Sequence, residues 1–244
     1  MTPLPIEWTA PPYIRALQTT RQGGFSQGPW EGANLAMHVG DEEQAVAKNR
    51  QELDRWGVPP NPLWLNQTHS NKIFVAERPP ALVPPEADGA ITALRGQALA
   101  ILTADCLPIL AYSRDTGRLG AFHAGWRGLA GAILEAGVNA LGGEPQNQDW
   151  WVGPGIGPEA YEVDLSVQQA FLRVLPDHEN DFFQTSEERW QLNLAQAAVR
   201  QLVQAGVQRI TLAPWTTNKN NDLFWSYRRQ NPCGRTAALV WRET

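Results

Sequence analysis

The chain of 244 residues has only two cysteines, Cys106 and Cys233, and four histidines, His38, His69, His123 and His178. Two thiols are too few for the disulfide framework of a secreted scaffold, which points to a reducing, cytosolic, cytoplasmic setting. Basic residues are in deficit, 20 Lys and Arg against 25 Asp and Glu, giving a net charge of −5. The cationic footprint needed for nucleic acid or an anionic membrane is therefore missing. No apolar run reaches the ~18–20 residues that span a bilayer. The longest, Leu99–Leu110, is broken by Thr103, Asp105 and Pro108. The opening MTPLPIEWTAPPYIRA has no basic run followed by an apolar core, so it does not read as a signal peptide. Repeats and low-complexity tracts are absent, and the Pro-rich stretch Pro79–Pro85 reads as a surface loop. The composition, 43% hydrophobic and 18% charged, suits one sizeable core. A single domain over residues 1–244 is expected.

Apolar periodicity and turn residues place the elements. Strands are expected at Tyr13–Thr19, Leu63–Gln67, Lys72–Glu77, Leu99–Thr103, Leu107–Tyr112, Leu119–His123, Asp149–Val152, Arg209–Ala213 and Thr236–Trp241. Helices are expected at Glu42–Trp56, Leu129–Leu141, Leu165–Val174 and Leu192–Gln204, with glycines closing several of them. Strands and helices mix without strict alternation, so the expected fold is α+β: a mixed-sheet sandwich of α/β/β/α type. Eleven tryptophans suit core packing, with the indole N–H reaching a partner.

Three residues combine position with chemistry. His69 ends LWLNQTH, His123 ends LGAFH before the turn AGWRG, and Cys106 follows ALAILTAD. Strand ends leading into loops give a rigid base for a site. Imidazole and thiolate suit zinc, and three protein ligands leave a fourth position for water, whose pKa zinc lowers to ~7. Asp105, beside Cys106, is a candidate acceptor for a ligand's second ring N–H, or a proton carrier; a turn carboxylate is the plainer reading. The separations within the trio match no local zinc signature. Among the remaining polar residues, Arg50, Arg127 and Arg228 (in SYRR, with Arg229) are candidates for holding phosphate or carboxylate. His38 could point into the site or pack, and His178, in PDHEND, reads as exposed.

Several segments carry a resemblance: NQTHS (66–70), ADG (87–89), LTADCLPIL (102–110), FHAGWRGL (122–129) and GPGIGPEAYEV (153–163). With TTRQGGFS, NLAMHVGD, KNRQEL, SYRR and GRTAALVW, they make nearly the whole chain similar to the YfiH/YlmD family. Its members are called laccase-domain proteins, peptidoglycan editing factors or purine nucleoside phosphorylases. The resemblance implies that His69, Cys106 and His123 form a metal and catalytic centre, with zinc as the metal and copper as the alternative. It implies a small-molecule substrate, a purine nucleoside with phosphate, bound with help from Asn34, Arg50, Arg127 and Arg228. It also departs from the family, which often has a cysteine matching Pro214-Trp-Thr-Thr and another after GPxIGP. Here those places hold Thr216 or Thr217 and Glu159-Ala160.

Three functions of different kind remain. The first is phosphorolysis of adenosine, inosine or methylthioadenosine, joined to adenosine deamination, although the HxE and PCxxC deaminase signature is absent. The second is a hydrolase with Cys106 as nucleophile and His123 as base, editing L-Ser-containing peptidoglycan precursors. The third is a non-catalytic zinc-stabilised binding module, which would want a fourth protein ligand. Multicopper laccase chemistry needs many more histidines than four.

Overall fold

The computed structural model describes residues 1–78 and 83–243, so most of the expected Pro-rich loop lies outside the described residues. In chain order the elements are β1 (Leu4–Pro5), β2 (Ile14–Gln18), α1 (Glu43–Gln51), β3 (Ile73–Ala76), β4 (Gly89–Thr92), β5 (Leu99–Thr103), β6 (Leu107–Ser113), β7 (Leu119–Ala124), α2 (Trp126–Ala130) and α3 (Ile133–Leu141). They continue with β8 (Gln148–Val152), β9 (Glu162–Asp164), α4 (Leu165–Val174), β10 (Phe182–Ser186), β11 (Arg189–Leu192), α5 (Leu194–Gln204), β12 (Arg209–Leu212) and β13 (Thr236–Arg242).

Period-two alternation on these strands decides the layers. In β5, Leu99 and Ile101 face one core while Ala100 and Leu102 face another. In β6, Leu110 and Tyr112 share the first core with Leu99 and Ile101, while Ile109 and Ala111 face a third. Strands buried on both faces must lie between layers. They do: a six-stranded mixed sheet, β12-β8-β6-β7-β4-β3, packs on a four-stranded sheet, β1-β2-β13-β5. Helices α3 and α5 cover the outer face of the larger sheet, through Leu134, Val138, Ala198 and Leu202 against Phe122 and Trp150. The turn after α1 covers the smaller sheet through Leu53. The sequence of layers is the α+β sandwich expected. Fully buried Phe122 and Trp150 stack at 5.3 Å between their centroids. Cutting such a ring to alanine costs about 3–5 kcal/mol.

Three expected elements differ for physical reasons. Residues 63–67 make only isolated bridges, Leu63 to Leu99 and Asn66 to Glu86. The Gln67 side chain takes over the pairing, donating to the Leu102 carbonyl (2.8 Å) and accepting from the Leu102 amide (2.9 Å). The helix expected at 129–141 is two helices, α2 and α3, broken where Ala132 turns left-handed (φ 59°). The helix expected at 42–56 tightens to a 3₁₀ turn after Gln51 and stops at left-handed Gly57. The small β10-β11-β9 sheet and β4 were not foreseen, because their short runs lack clear alternation. No helix among the described residues is long and apolar enough to cross a membrane.

Candidate metal centre

The three ligand candidates meet where the two sheets part. β5 belongs to the smaller sheet and β6 to the larger, so the chain crosses between them at residues 104–106, and Cys106 sits on that crossing. Asp105 makes the turn with a left-handed backbone (φ 85°). His123 lies inside β7, opposite Pro108 of β6. Its neighbours Phe122 and Ala124 face the helices, so the imidazole points to the opposite face, at the open end of the sandwich. His69 comes from the irregular 66–70 loop and is also left-handed (φ 59°). A non-glycine residue held there costs roughly 1–3 kcal/mol, which the surroundings must offset. Asp88 supplies the offset: its buried carboxylate accepts from the backbone amides of Thr68, His69 and Ser70 at 3.1, 3.0 and 2.7 Å.

One ligating atom from each of His69, Cys106 and His123 lies within 4.8 Å of the other two. Zinc bonds of 2.0–2.3 Å in a tetrahedron put donors roughly 3.3–3.8 Å apart, so a small contraction would close them on an ion. Among the described residues this is the one group of His, Cys or acidic side chains with such convergence. His123 Nδ1 is 2.8 Å from Asp88 Oδ1, which would leave Nε2 free to bind a metal. A Cβ built on Gly125, in the AGWRG turn, would lie 2.7 Å from the Cys106 sulfur and 3.4 Å from His69. The space beside the thiol therefore exists only because residue 125 has no side chain.

The electrostatics favour an ionised thiol. Burial opposes the thiolate, but His123 and His69 outweigh it and bring the Cys106 pKa down to about 6. Burial likewise disfavours imidazolium, yet the Cys106 sulfur and the Asp88 carboxylate raise His123 to about 9. Burial is also overridden at Asp88, which hydrogen bonds from His123 and Ser70 hold well below the usual carboxylate range. The signs fix a window. The depressed thiol ionises as pH rises through about 6, and the raised imidazole keeps its proton until about 9. The two titrate as a pair, so apparent values belong to the couple. In metal-free protein, iodoacetamide should modify Cys106 with a half-maximal rate near pH 6, and zinc should protect it. Burial raises the Cys233 thiol pKa, so that cysteine should stay slow. Peptide mapping by mass spectrometry across pH 5–9 checks this. A Cys106 midpoint at the ordinary thiol value of ~8.5 would remove the ion pair.

The other sequence candidates separate. Asp88, not Asp105, bonds the His123 imidazole. The Asp105 carboxylate is taken by Thr217 Oγ1 (2.5 Å), Ser226 Oγ (3.0 Å) and the Arg228 amide (2.7 Å). It ties the 217–228 segment to the Cys106 turn, and a carboxylate with those donors is poorly placed to carry protons. Asn34 is fully buried with both ends of its amide engaged: it donates to Ala36 and Asp41 and accepts from the Ala36 and Arg235 amides. That is a loop clamp, with nothing left for a substrate. His178 is buried, contrary to expectation, because Asp181 lies 2.7 Å from its Nδ1. The Gly-rich stretch lines a groove of about 710 Å³ with Arg21 and Asp222, and none of the three ligand candidates borders it.

Two arginines stay beside the centre. Arg228 stacks over Tyr161 (5.2 Å), and Arg127 over Trp126 (4.3 Å). Burial raises the Tyr161 phenol pKa and the Cys106 sulfur adds to it, while Arg228 and Arg127 pull the other way. Both guanidiniums and the thiol thus act on one ring. Arg50 is spent differently: it stacks on Trp64 at 3.9 Å and donates from Nε to the Leu35 carbonyl. Sequence reasoning missed Asp88, Gly125 and Tyr161 as site residues. The available signal was that all three lie in ADG, FHAGWRGL and GPGIGPEAYEV, segments that carry the family resemblance.

With fold and geometry in place, the chain can be assigned. It belongs to the family described as multi-copper polyphenol oxidoreductase laccase, whose profile matches residues 15–243. A Pseudomonas aeruginosa purine nucleoside phosphorylase is 39% identical to it over 236 residues, 96% of each chain. A Haemophilus influenzae purine nucleoside phosphorylase is 37% identical over 240 residues, 97% of each. Among solved structures, a Neisseria meningitidis protein superposes with a TM-score of 0.94 at 35% identity, covering 99% of both chains. YlmD from Geobacillus stearothermophilus gives 0.89 at 32% identity, covering 96% of this chain and 94% of that one.

Proposed function

We propose that the protein is a zinc-dependent purine nucleoside enzyme acting in the cytoplasm as a single 244-residue domain, with His69, Cys106 and His123 as ligands. The observation that carries this reading is the convergence of two imidazoles and a thiolate on one point, in a chain whose relatives are named purine nucleoside phosphorylases. Zinc held by these three residues would supply a Lewis acid. Copper remains the alternative metal, but four histidines cannot furnish a multicopper oxidase.

The chain's own residues account for binding. The exposed Arg127, and the Arg228 nitrogens not engaged by the Glu162 carbonyl, can donate to phosphate. Tyr161 provides an aromatic face beside them. In phosphorolysis a phosphate oxygen bonds to the sugar anomeric carbon, the bond to the purine nitrogen breaks, and the base leaves with a proton. In deamination water adds at C6 and ammonia leaves. Adenosine should therefore give adenine when phosphate is present and inosine when it is not. Chromatography of both reactions checks this, and absence of both products above a His123→Ala control would end the nucleoside reading. Arg228→Ala should slow phosphorolysis about ten- to a hundredfold, the ~1.5–3 kcal/mol of a charge-assisted contact, while sparing deamination.

One observation favours a second reading. A thiol at about 6 against an imidazole at about 9 is the arrangement of a Cys–His nucleophile, fit for hydrolysing an L-Ser-containing cell-wall precursor. Its mark would be activity gained, not lost, when zinc is stripped.

A further inference from the structure

We propose that Asp88 is the positioning residue of the metal centre, setting two of its three ligands with one carboxylate. The inference rests on the metal-centre reading above. The Asp88 carboxylate bonds both to the His123 ring and to the loop that carries His69. Oδ1 receives His123 Nδ1 at 2.8 Å and the His69 amide at 3.0 Å. Oδ2 receives the Ser70 amide and hydroxyl, both at 2.7 Å, and the Thr68 amide at 3.1 Å. The carboxylate is fully buried, and its own backbone carbonyl accepts the His123 amide at 2.7 Å.

The two jobs have different consequences. At His123 the acceptor fixes the tautomer: Nδ1 carries the proton, Nε2 keeps its lone pair, and the ring is held in one plane. At His69 three amides aimed at one anion fold residues 68–70 into a concave anion nest, which stabilises the left-handed backbone that turns the imidazole toward Cys106. The two rings consequently meet edge to face, centroids 4.8 Å apart at 76°. An asparagine at 88 keeps the shape but not the chemistry. An amide has one acceptor oxygen, so its NH₂ must face either the imidazole Nδ1–H or the backbone amides. Either choice sets donor against donor and releases one ligand.

The test is cobalt and zinc binding by full-length protein, wild type against Asp88→Asn. Wild type should take up one Co²⁺ with a thiolate-to-cobalt charge-transfer band and tetrahedral d–d bands. Asp88→Asn should bind Co²⁺ and Zn²⁺ about 10–100-fold more weakly, the usual effect of removing a ligand's outer partner. Its saturated d–d spectrum should also depart from the wild-type one, which a general loss of stability would not produce. Equal affinity with an unchanged spectrum overturns the proposal. If the variant does not fold, ¹⁵N-histidine NMR of zinc-loaded wild type decides. A protonated Nδ1 and a metal-shifted Nε2 on His123 support it, and metal on Nδ1 overturns it. Wild type that binds neither ion defeats the metal reading itself, a result distinct from a wild type that binds and an Asp88→Asn protein that binds equally well.

Discussion

Cys106→Ala should lose most of its metal, where wild type carries about one zinc per chain after purification without added metal. Cys106 supplies the only thiolate in the trio, and the charge and hydrogen bonds of His123 and His69 lower its pKa to about 6. Removing it leaves two neutral nitrogen donors, one of them on an irregular loop, with no anion to favour a dication. The affinity loss should exceed the ~10–100-fold of an outer partner, because a direct bond disappears. His69→Ala and His123→Ala should follow the same pattern. Elemental analysis and chelator competition measure this, with melting of the metal-free proteins as the control for folding. Retention of a full equivalent of zinc by Cys106→Ala would remove the trio from consideration as a metal centre.

Gly125→Ala should also cut metal affinity, by tenfold or more, without changing any ligand. The backbone at Gly125 is extended (φ −78°, ψ 174°), a conformation alanine adopts freely, so the substitution introduces no backbone strain. The added methyl would sit 2.7 Å from the Cys106 sulfur, well inside contact distance. The thiol must move, and it has little room, being packed beside His69 and His123. Metal-free stability should stay within about 1–3 kcal/mol of wild type, the usual range for one extra methyl in a packed place. The pair of measurements, chelator competition and metal-free melting, separates a blocked site from a damaged fold. Unchanged zinc affinity would show that the ion, if bound, does not use this space.

The contrast between what the sequence made legible and what it did not follows interaction range. Strands β5, β6, β7, β8 and β13 are visible because burial on both faces makes them largely apolar runs, a property written along the chain. Cys106, His69 and His123 are visible through residue type and motif. The loop at 63–67 reads as a strand because its composition is strand-like; only the distant Leu102 reveals that the Gln67 side chain does the pairing. Asp105 and Asp88 make the same point. Asp105 is the acid nearest Cys106 in sequence, yet its partners are Thr217, Ser226 and Arg228, more than a hundred residues away. Asp88 reaches His123 because β4 and β7 are neighbours, and that adjacency is a fact of topology. His178 reads as exposed among acidic and polar neighbours, because its burial beside Asp181 depends on the packing of a short 3₁₀ turn.

The loop that carries His69 has no strand ladder of its own. Two hydrogen bonds through Gln67, a bridge at Asn66 and the donors gathered on Asp88 hold it. The other two ligands are anchored next to continuous β-structure. Local opening in proteins follows the segment with the fewest cooperative bonds. By that rule the 66–70 loop should open before either sheet, and hydrogen exchange at the Thr68, His69 and Ser70 amides measures whether it does. A metal held there would then be gained and lost through the loop, without either sheet coming apart.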